Sequence, residues 1–379
     1  MVIKIYKEWL DELWDKIQNK LERTARETND SCFAYTTKNN KFRNADSGRK
    51  SPSWWTNGFW PGIMWLMYNE TKNGLYKNIA ENLENKLDEA VDYFIELHHD
   101  VGFMWLLSSV ANYRLTGSEK SKTRSLHMAN LLAGRFNVEG NFIRAWNDGG
   151  DIDKRGWSII DSMMNLPLLY WASTETSDPR FLQIATRHAN MVMENFVRPD
   201  GSVKHIVEFN PNTGEYIKNH TGQGYSEQSS WTRGQAWAIY GFVLSYIHTR
   251  KQEYLDTSKK ISHYFIANIK DEYIPKCDFR SPDEPKYKDT TAGVIAACGF
   301  IEIAKVVPEF EKNLYLEAAV KILKATEKGC CDWSNNEDSI VQMGTEAYHS
   351  GKKNIPIIYG DYYFIEAVLK LRGSDLLLW

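Results

Sequence analysis

The 379-residue chain carries 46 basic and 49 acidic residues, so it lacks the positive field that binding to nucleic acid or to an anionic membrane surface requires. Its 42% hydrophobic content is enough for a large core, as one closed toroidal domain or as two ordinary ones, yet no run of about 18 apolar residues exists to span a bilayer. Five cysteines, two of them adjacent at Cys330 and Cys331, form neither a spaced framework of pairs nor a CxxC pattern, and no basic head precedes an apolar stretch at the N-terminus, so a reducing, cytoplasmic setting is expected.

From the N-terminus onward apolar residues recur at three- and four-residue steps, and two kinds of helix alternate. Residues 4–27 predict an amphipathic helix with one wet face. FWPGIMWLMY (59–68) follows, apolar nearly all round, and must be buried on most sides. The charged stretch 75–97 then precedes GFMWLLSSVANYRL (102–115), and 119–135 precedes WSIIDSMMNLPLLYWAS (157–173). Likewise 178–194 precedes WTRGQAWAIYGFVLSYI (231–247), 252–268 precedes TTAGVIAACGFIEIA (290–304), and 308–327 precedes YYFIEAVLKL (362–371). Six charged-then-apolar pairs make a repeat of helical hairpins, with very few β-rich stretches. The economical architecture is an all-α (α/α)6 toroid over residues 1–379, a single domain with the six apolar helices inside. An open superhelix of helix pairs is the competing arrangement.

A polar or aromatic group stands before or at the start of each inner helix: SWWTNG (53–58), HHD (98–100), NDGGDIDKRG (147–156), SEQSSWTRG (226–234), KYKDTT (286–291) and YGD (359–361). In a toroid these starts meet at one mouth. Asp, Ser and Thr at helix starts satisfy free backbone N–H groups, and for KDTT and YGD capping is the expected role. Capping does not need two tryptophans or paired histidines. The connections 136–156, 195–230, 269–289 and 328–359 are longer than helix joints require and are expected to wall a pocket.

Asp161 lies inside the apolar run GWSIIDSMMNLPLL, where an ionised carboxylate is costly. A raised pKa or a specific partner is expected, and either suits general acid/base catalysis near neutrality; a buried structural Asp bonded to a neighbouring helix is the alternative. Asp100, after His98 and His99, reads most simply as a cap. Beside Asp161 it becomes a like-charged neighbour that raises its partner's proton affinity, and two carboxylates in unequal surroundings are the usual equipment of glycoside cleavage. The two histidines offer no HExxH spacing, so no metal is expected. Trp54 and Asn57, Trp146, and Trp231 and Trp237 around Arg233 set flat apolar faces beside hydrogen-bonding groups, which suits a sugar ring. Trp55, Trp60 and Trp65 are expected in the core. Arg233, with its fork of donors, and His205 are candidates for recognising a substrate carboxylate.

WTNGFWPG, HHDVGFMW, IIDSMMNLPLLYWAS, HTGQGYSEQSSWTRGQAWAIYGF and IPIIYGDYYF, in that order from about residue 50 onward, together resemble the unsaturated glucuronyl hydrolases, family 88 of the glycoside hydrolases. The resemblance implies an (α/α)6 barrel. It also implies removal of the 4,5-unsaturated uronic acid from the nonreducing end of lyase-generated glycosaminoglycan disaccharides and oligosaccharides, without metal or organic cofactor. Carried over motif by motif, it implies Asp161 as general acid/base and Asp100 as supporting carboxylate. The implied sugar contacts are Trp54, Asn57, Phe103, Trp146, His205, Gln223, Arg233 and Trp237, with Tyr348 continuing the list. In the implied reaction Asp161 protonates C4 of the vinyl ether, water adds at C5, and the hemiketal collapses. Members favouring sulfated substrates share a Ser-x-x-Ser-x-Lys segment, where this chain reads Ser350-Gly351-Lys352-Lys353-Asn354-Ile355. Ser350 is kept as a candidate contact, Lys353 replaces the second Ser, and Lys352 and Lys353 either hold a sulfate as point charges or form a solvated tip. The rival readings are an unsaturated rhamnogalacturonyl hydrolase or a hydrolase of saturated sugars on a similar toroid, and a noncatalytic sugar-binding protein of helix pairs.

Overall fold

Alternation of wet-faced and wholly apolar helices sorts the chain into two concentric layers. The computed structural model describes residues 5–46, 51–149, 152–349 and 351–379. The chain begins outside with α1 (Lys7–Thr28), turns inward as α2 (Phe59–Thr71) and returns outside as α3 (Gly74–Asp92). The next inner element is α4 (Val101–Trp105), a π-helical turn over Leu106–Val110, and α5 (Ala111–Thr116), followed by outer α6 (Glu119–Gly134). Inner α7 (Leu166–Thr176) precedes outer α8 (Pro179–Asn195), and inner α9 (Thr232–Thr249) precedes outer α10 (Gln252–Asn268). Inner α11 (Thr290–Val306), outer α12 (Glu309–Cys330) and inner α13 (Ile358–Arg372) complete the order. Each inner element packs on the next, and the last, α13, packs on both α2 and α1. The ring therefore closes as an (α/α)6 toroid, which an open superhelix of helix pairs would not do.

The outer helices carry side-chain caps where the sequence offers them, as at Asn73, Ser118 and Asp178. The acids at the inner starts do something else, which corrects the capping expectation for KDTT and YGD. Asp289 makes no cap bond and pairs with Arg233 instead. Asp361 sits within the first turn of α13 and accepts the N–H groups of Ile340 and Val341 and the hydroxyl of Ser339, so it anchors the preceding loop.

Among the described residues five short strands interrupt the helical pattern. The pair β1 (Phe136–Asn137) and β2 (Phe142–Ile143) is an antiparallel hairpin. The strands β3 (Trp157–Ile159), β4 (Ile206–Phe209) and β5 (Tyr216–His220) form an antiparallel sheet in that order, with Ser158 opposite Val207 and Val207 opposite Asn219. One helix over 157–173 was the sequence expectation, and the structure replaces it by β3, a 3-10 turn over Ile160–Met164, and α7. Ile159 and Ile160 are stiff β-branched residues that favour extended chain, and Pro167 has no N–H to bond back into an earlier turn. Gly156 lets β3 meet β4, since a Cβ there would fall 1.8 Å from the Phe209 carbonyl oxygen.

Buried side chains from Leu10 to Trp379 form the main hydrophobic cluster, and Ala145, Ile159 and Ile206 form a small second one. Along the toroid axis the Trp379 ring stacks on Tyr363, centroids 5.7 Å apart and planes at 10°, and meets Phe103 edge-on at 5.8 Å. At the C-terminal ends of the inner helices Lys370 pairs with Glu302 and lies 3.5 Å from Glu366, which also accepts from the Tyr240 hydroxyl at 2.8 Å and the Trp379 indole at 3.3 Å. Buried charge is tolerated there because it is paired and hydrogen-bonded. Among the described residues no helix is long and apolar enough to cross a membrane, and all five cysteines are free.

Candidate active site

The inner-helix starts converge on a cavity of about 290 Å³ lined by Trp54, Trp55, His98, His99, Asp100, Trp146, Ile159, Asp161 and Gln223. An outer vestibule of about 480 Å³ shares Trp54, His98 and Trp146 and adds the polar groups of Glu96, Asp148 and Lys154. The inner chamber has room for one sugar ring, and the vestibule for what that ring is attached to.

Asp161 projects from the 3-10 turn that follows β3. Burial pushes its carboxyl up to about 7, while the Arg233 charge and the nearby Trp237 indole N–H draw it back. His205, at the edge of β4, places Nε2 3.8 Å from Asp161 Oδ2, and neither of these two buried atoms has a hydrogen-bond partner. The His205 Nδ1 lies 2.9 Å from the Thr221 carbonyl and 2.9 Å from the Gln223 N–H, so the 221–223 loop orients the ring. Trp231 covers one face of that ring at 4.1 Å. Burial lowers His205 to about 3, which makes the imidazole neutral at physiological pH.

Asp100 stands at the first residue before α4 without capping it. Its Oδ1 accepts from Asn165 Nδ2 at 3.3 Å and lies 3.4 Å from His99 Nε2, and its Oδ2 lies 3.5 Å from His98 Nδ1. Burial first and the Asp161 charge second push Asp100 up to about 8, against the pull of Asn165 and Arg135. The sequence reading had Asp100 raising Asp161. In the structure burial is the first cause of the rise at both acids, and the like-charge repulsion between them belongs to the pair.

Asn165 joins the two acids. Its Oδ1 accepts the Phe103 N–H at 2.8 Å, and Gly102 makes the approach possible, since a Cβ there would fall 2.4 Å from Asn165 Oδ1 and 2.5 Å from its Cα. Gly102→Ala should therefore push the α4 start and the Asp161 turn apart, costing about 1–3 kcal/mol of stability and roughly 100-fold in kcat. Unfolding midpoints and steady-state rates on the same preparation check this, and wild-type values for both would remove Asn165 from the argument.

Among the remaining expected contacts, Trp54, Trp146 and Gln223 line the cavity. Gln223 also ties its side-chain N–H to the Glu346 carbonyl at 2.7 Å. Trp55, expected in the core along with Trp60 and Trp65, instead lines the cavity, its ring 5.3 Å from Phe103 and 5.1 Å from Tyr359. Phe103 and Trp237 are fully buried, 5.2 Å apart, as an aromatic layer beneath the acids. Asn57 is fully buried and donates to the Ser51 and Pro52 carbonyls at 3.3 and 3.0 Å, shaping the loop that carries Trp54. Tyr348 packs between Tyr225 and Tyr287, and its N–H donates to the Gln223 carbonyl at 2.9 Å. Lys352 lies over Tyr35 and Lys353 over Tyr287, while Ser350 falls outside the described residues.

Arg233 departs most from the sequence reading. Its guanidinium is buried, paired with Asp289 at 2.6 Å, and donates to the Thr345 and Glu346 carbonyls at 2.7 and 2.8 Å. Three of its five N–H donors are thus taken by the protein, and Arg233 also acts on the site as a buried positive charge behind Asp161. Sequence reasoning missed Asn165, His99, Ser162 and Asp289. For Asn165 a signal existed, because it stands four residues after Asp161, one helical turn along the same face. The donor atoms of His98, His99 and Asp100 lie within 4.8 Å of one another, close enough for a metal trio.

Residues 9–363 match the family model described as Glycosyl Hydrolase Family 88. The chain is 36% identical over 331 residues, 86% of its length and 88% of the relative's, to an unsaturated glucuronyl hydrolase of Bacillus sp. (strain GL1). It is 35% identical over 332 residues, 86% of its length and 83% of the relative's, to an unsaturated chondroitin disaccharide hydrolase of Streptococcus pneumoniae. The crystal structure of the Bacillus sp. GL1 unsaturated glucuronyl hydrolase, named as responsible for glycosaminoglycan degradation, matches with a TM-score of 0.90 and 32% identity over 96% of this chain and 97% of that one. A closed toroid, two acids facing one chamber and a family match over nearly the whole length agree: the chain belongs to Glycosyl Hydrolase Family 88.

Proposed function

We propose that this glycosidase, a single catalytic domain, removes a 4,5-unsaturated uronic acid from the nonreducing end of lyase-generated glycosaminoglycan disaccharides, with Asp161 as acid and then base and Asp100 as supporting carboxylate. The observation that carries the reading is the pair of unpartnered buried atoms at one wall of the chamber, Asp161 Oδ2 and His205 Nε2, 3.8 Å apart. An oxygen about 2.8 Å from each bonds both, which is a seat for a nucleophilic water beside an acid. Trp54 and Trp146 supply apolar faces for the ring. The names of the relatives support the substrate class, and the free cysteines support a reducing compartment, which we take as the cytoplasm.

The chemistry balances on one proton. Asp161 gives its proton to C4, forming a C–H bond from the double-bond electrons and leaving positive charge shared by C5 and the ring oxygen. Water adds to C5, and its proton passes to the Asp161 carboxylate. The hemiketal so formed opens at the C5–ring oxygen bond, and C1, now a hemiacetal, releases the saccharide as its free alcohol. An ionised Asp100 across the chamber favours the cationic stage. Loss of the ultraviolet absorbance of the conjugated double bond in unsaturated chondroitin or hyaluronan disaccharides tests the proposal, with unsaturated rhamnogalacturonan disaccharides as comparison. Absorbance that persists with every glycosaminoglycan disaccharide rejects it.

The same requirement sets a pH dependence. The acid pair holds two protons below the range between about 7 and about 8, one within it and none above it. Turnover needs one, on Asp161 and off Asp100, which is the less populated of the two singly protonated forms because Asp100 holds its proton the more tightly. kcat/KM should therefore be bell-shaped about neutrality, falling at higher pH as the pair loses its last proton and at lower pH as it takes up the second. Asp100→Asn should abolish the acid-side fall, and a flat wild-type profile across the range would count against the shared-proton scheme.

A further inference from the structure

We propose that His99 is a positioning residue for this reaction, held as its Nε2–H tautomer by the hydroxyl of Ser162 and presenting that N–H side of the ring to Asp100. The inference rests on the catalytic assignment of Asp100 and Asp161 made above.

Three contacts define the arrangement. Ser162 Oγ lies 3.0 Å from His99 Nδ1, and His99 Nε2 lies 3.4 Å from Asp100 Oδ1. Asn165 Nδ2 reaches the same Oδ1 at 3.3 Å, and its orientation is unambiguous, because the Phe103 N–H can only donate and takes Asn165 Oδ1 as its acceptor. Ser162 is fully buried and His99 is 1% exposed, so neither has bulk water as an alternative partner.

The tautomer is assigned from these bonding partners. Among the described residues His99 Nδ1 is the acceptor available to the Ser162 hydroxyl, and a buried hydroxyl that donates to nothing costs about 1–3 kcal/mol. Donation to Nδ1 requires a lone pair there, which puts the ring proton on Nε2. That proton then sits on the nitrogen 3.4 Å from Asp100 Oδ1, a charge–dipole contact longer than a normal hydrogen bond, beside the Asn165 amide that also reaches this oxygen. The opposite tautomer would leave the hydroxyl idle and set an imidazole lone pair against a carboxylate oxygen. Burial holds His99 well below its ordinary pKa, so the ring is neutral and a tautomer choice exists.

Chain connectivity makes this contact a brace. Ser162 follows Asp161 on the 3-10 turn, and His99 precedes Asp100 before α4. One hydrogen bond between the inner members of the two dipeptides therefore sets the separation of the outer two. It also favours the ionised form of Asp100, which is otherwise faced, among the described residues, by Asn165 at Oδ1, His98 at Oδ2, the Asp161 charge and the more distant Arg135.

Two measurements on the full-length protein test the proposal. In uniformly 15N-histidine-labelled enzyme, with His99 among the nine histidines identified by its absence in His99→Gln, long-range proton–nitrogen correlations should show the Nε2–H pattern, and Ser162→Ala should shift it toward a mixture. An Nδ1–H pattern in the wild type overturns the proposal, whether or not the enzyme is active. In kinetics, Ser162→Ala should keep the wild-type KM within about twofold while kcat falls roughly 10- to 100-fold at neutral pH. Removing a donor to the charged form raises the proton affinity of Asp100, so the acid-side flank of the pH profile should move to higher pH. His99→Gln, whose amide nitrogen overlies Nε2, should retain more activity than His99→Asn, whose amide overlies Nδ1. A merely structural role predicts lower unfolding midpoints with an unmoved profile and equal loss in both His99 variants; that result rejects the brace. A wild type that consumes no unsaturated uronide rejects the catalytic assignment instead, and the tautomer measurement still decides the hydrogen bonds.

Discussion

Asp161→Asn should give a folded protein that binds its disaccharide normally and turns it over about 10³- to 10⁴-fold more slowly. The amide keeps the volume of the carboxyl and a group able to face His205, but it has no proton to give to C4 and no charge with which to take one from water. Stability supplies a second check with a definite sign. A carboxyl whose folded pKa is raised to about 7 contributes stability that is present below its unfolded pKa and is lost as pH rises through the folded value. Asn does not titrate, so thermal melts of the variant should lack this loss and lie level with or above wild type on the alkaline side. Wild-type turnover in the variant would reject Asp161 as the acid. A variant that fails to bind would point to a ground-state role instead.

Arg233→Ala should unfold the protein far more readily, by about 3–5 kcal/mol, because it strands the fully buried Asp289 without a countercharge and leaves the Thr345 and Glu346 carbonyls without donors. A change of KM alone, which a substrate-facing fork would predict, is not the expected signature. Chemical denaturation reads the effect directly, and the double variant Arg233→Met with Asp289→Leu should recover most of the loss by removing both charges together. A normal midpoint in Arg233→Ala, joined to weak substrate binding, would restore the substrate-recognition reading.

The ring of hairpins was legible because burial differs so sharply between its two layers. In α11 every residue from Thr290 to Ala304 is buried, and a sequence with one charge, Glu302, which is itself paired with Lys370, has nowhere else to sit. Asp161 and Asp100 were legible for a related reason: a charged residue in an apolar run is conspicuous. What escaped were decisions made by tertiary partners. WSIID satisfies a helical period and a strand equally well, and the choice fell to pairing with residues 206–208, some fifty positions later in the chain. Asp289 and Asp361 look like caps from local sequence alone. Only the fold brings Arg233 to the first and the loop at Ile340 to the second. The ion pair and carbonyl bonds of Arg233 were hidden for the same reason, because a side chain's partners are not written next to it.

Trp379, stacked on Tyr363 and resting against Phe103, has a consequence for traffic. With the ion-paired Lys370 beneath it, it makes the centre of the ring a blind well. A polysaccharide cannot be threaded through such a well, so the enzyme addresses chain ends and never interior linkages. Both halves of the broken substrate must leave by the opening through which it arrived, past Trp54 and Trp146. Each cleavage then ends in complete release, without sliding to a next unit, and the departing saccharide competes with incoming substrate for the same doorway.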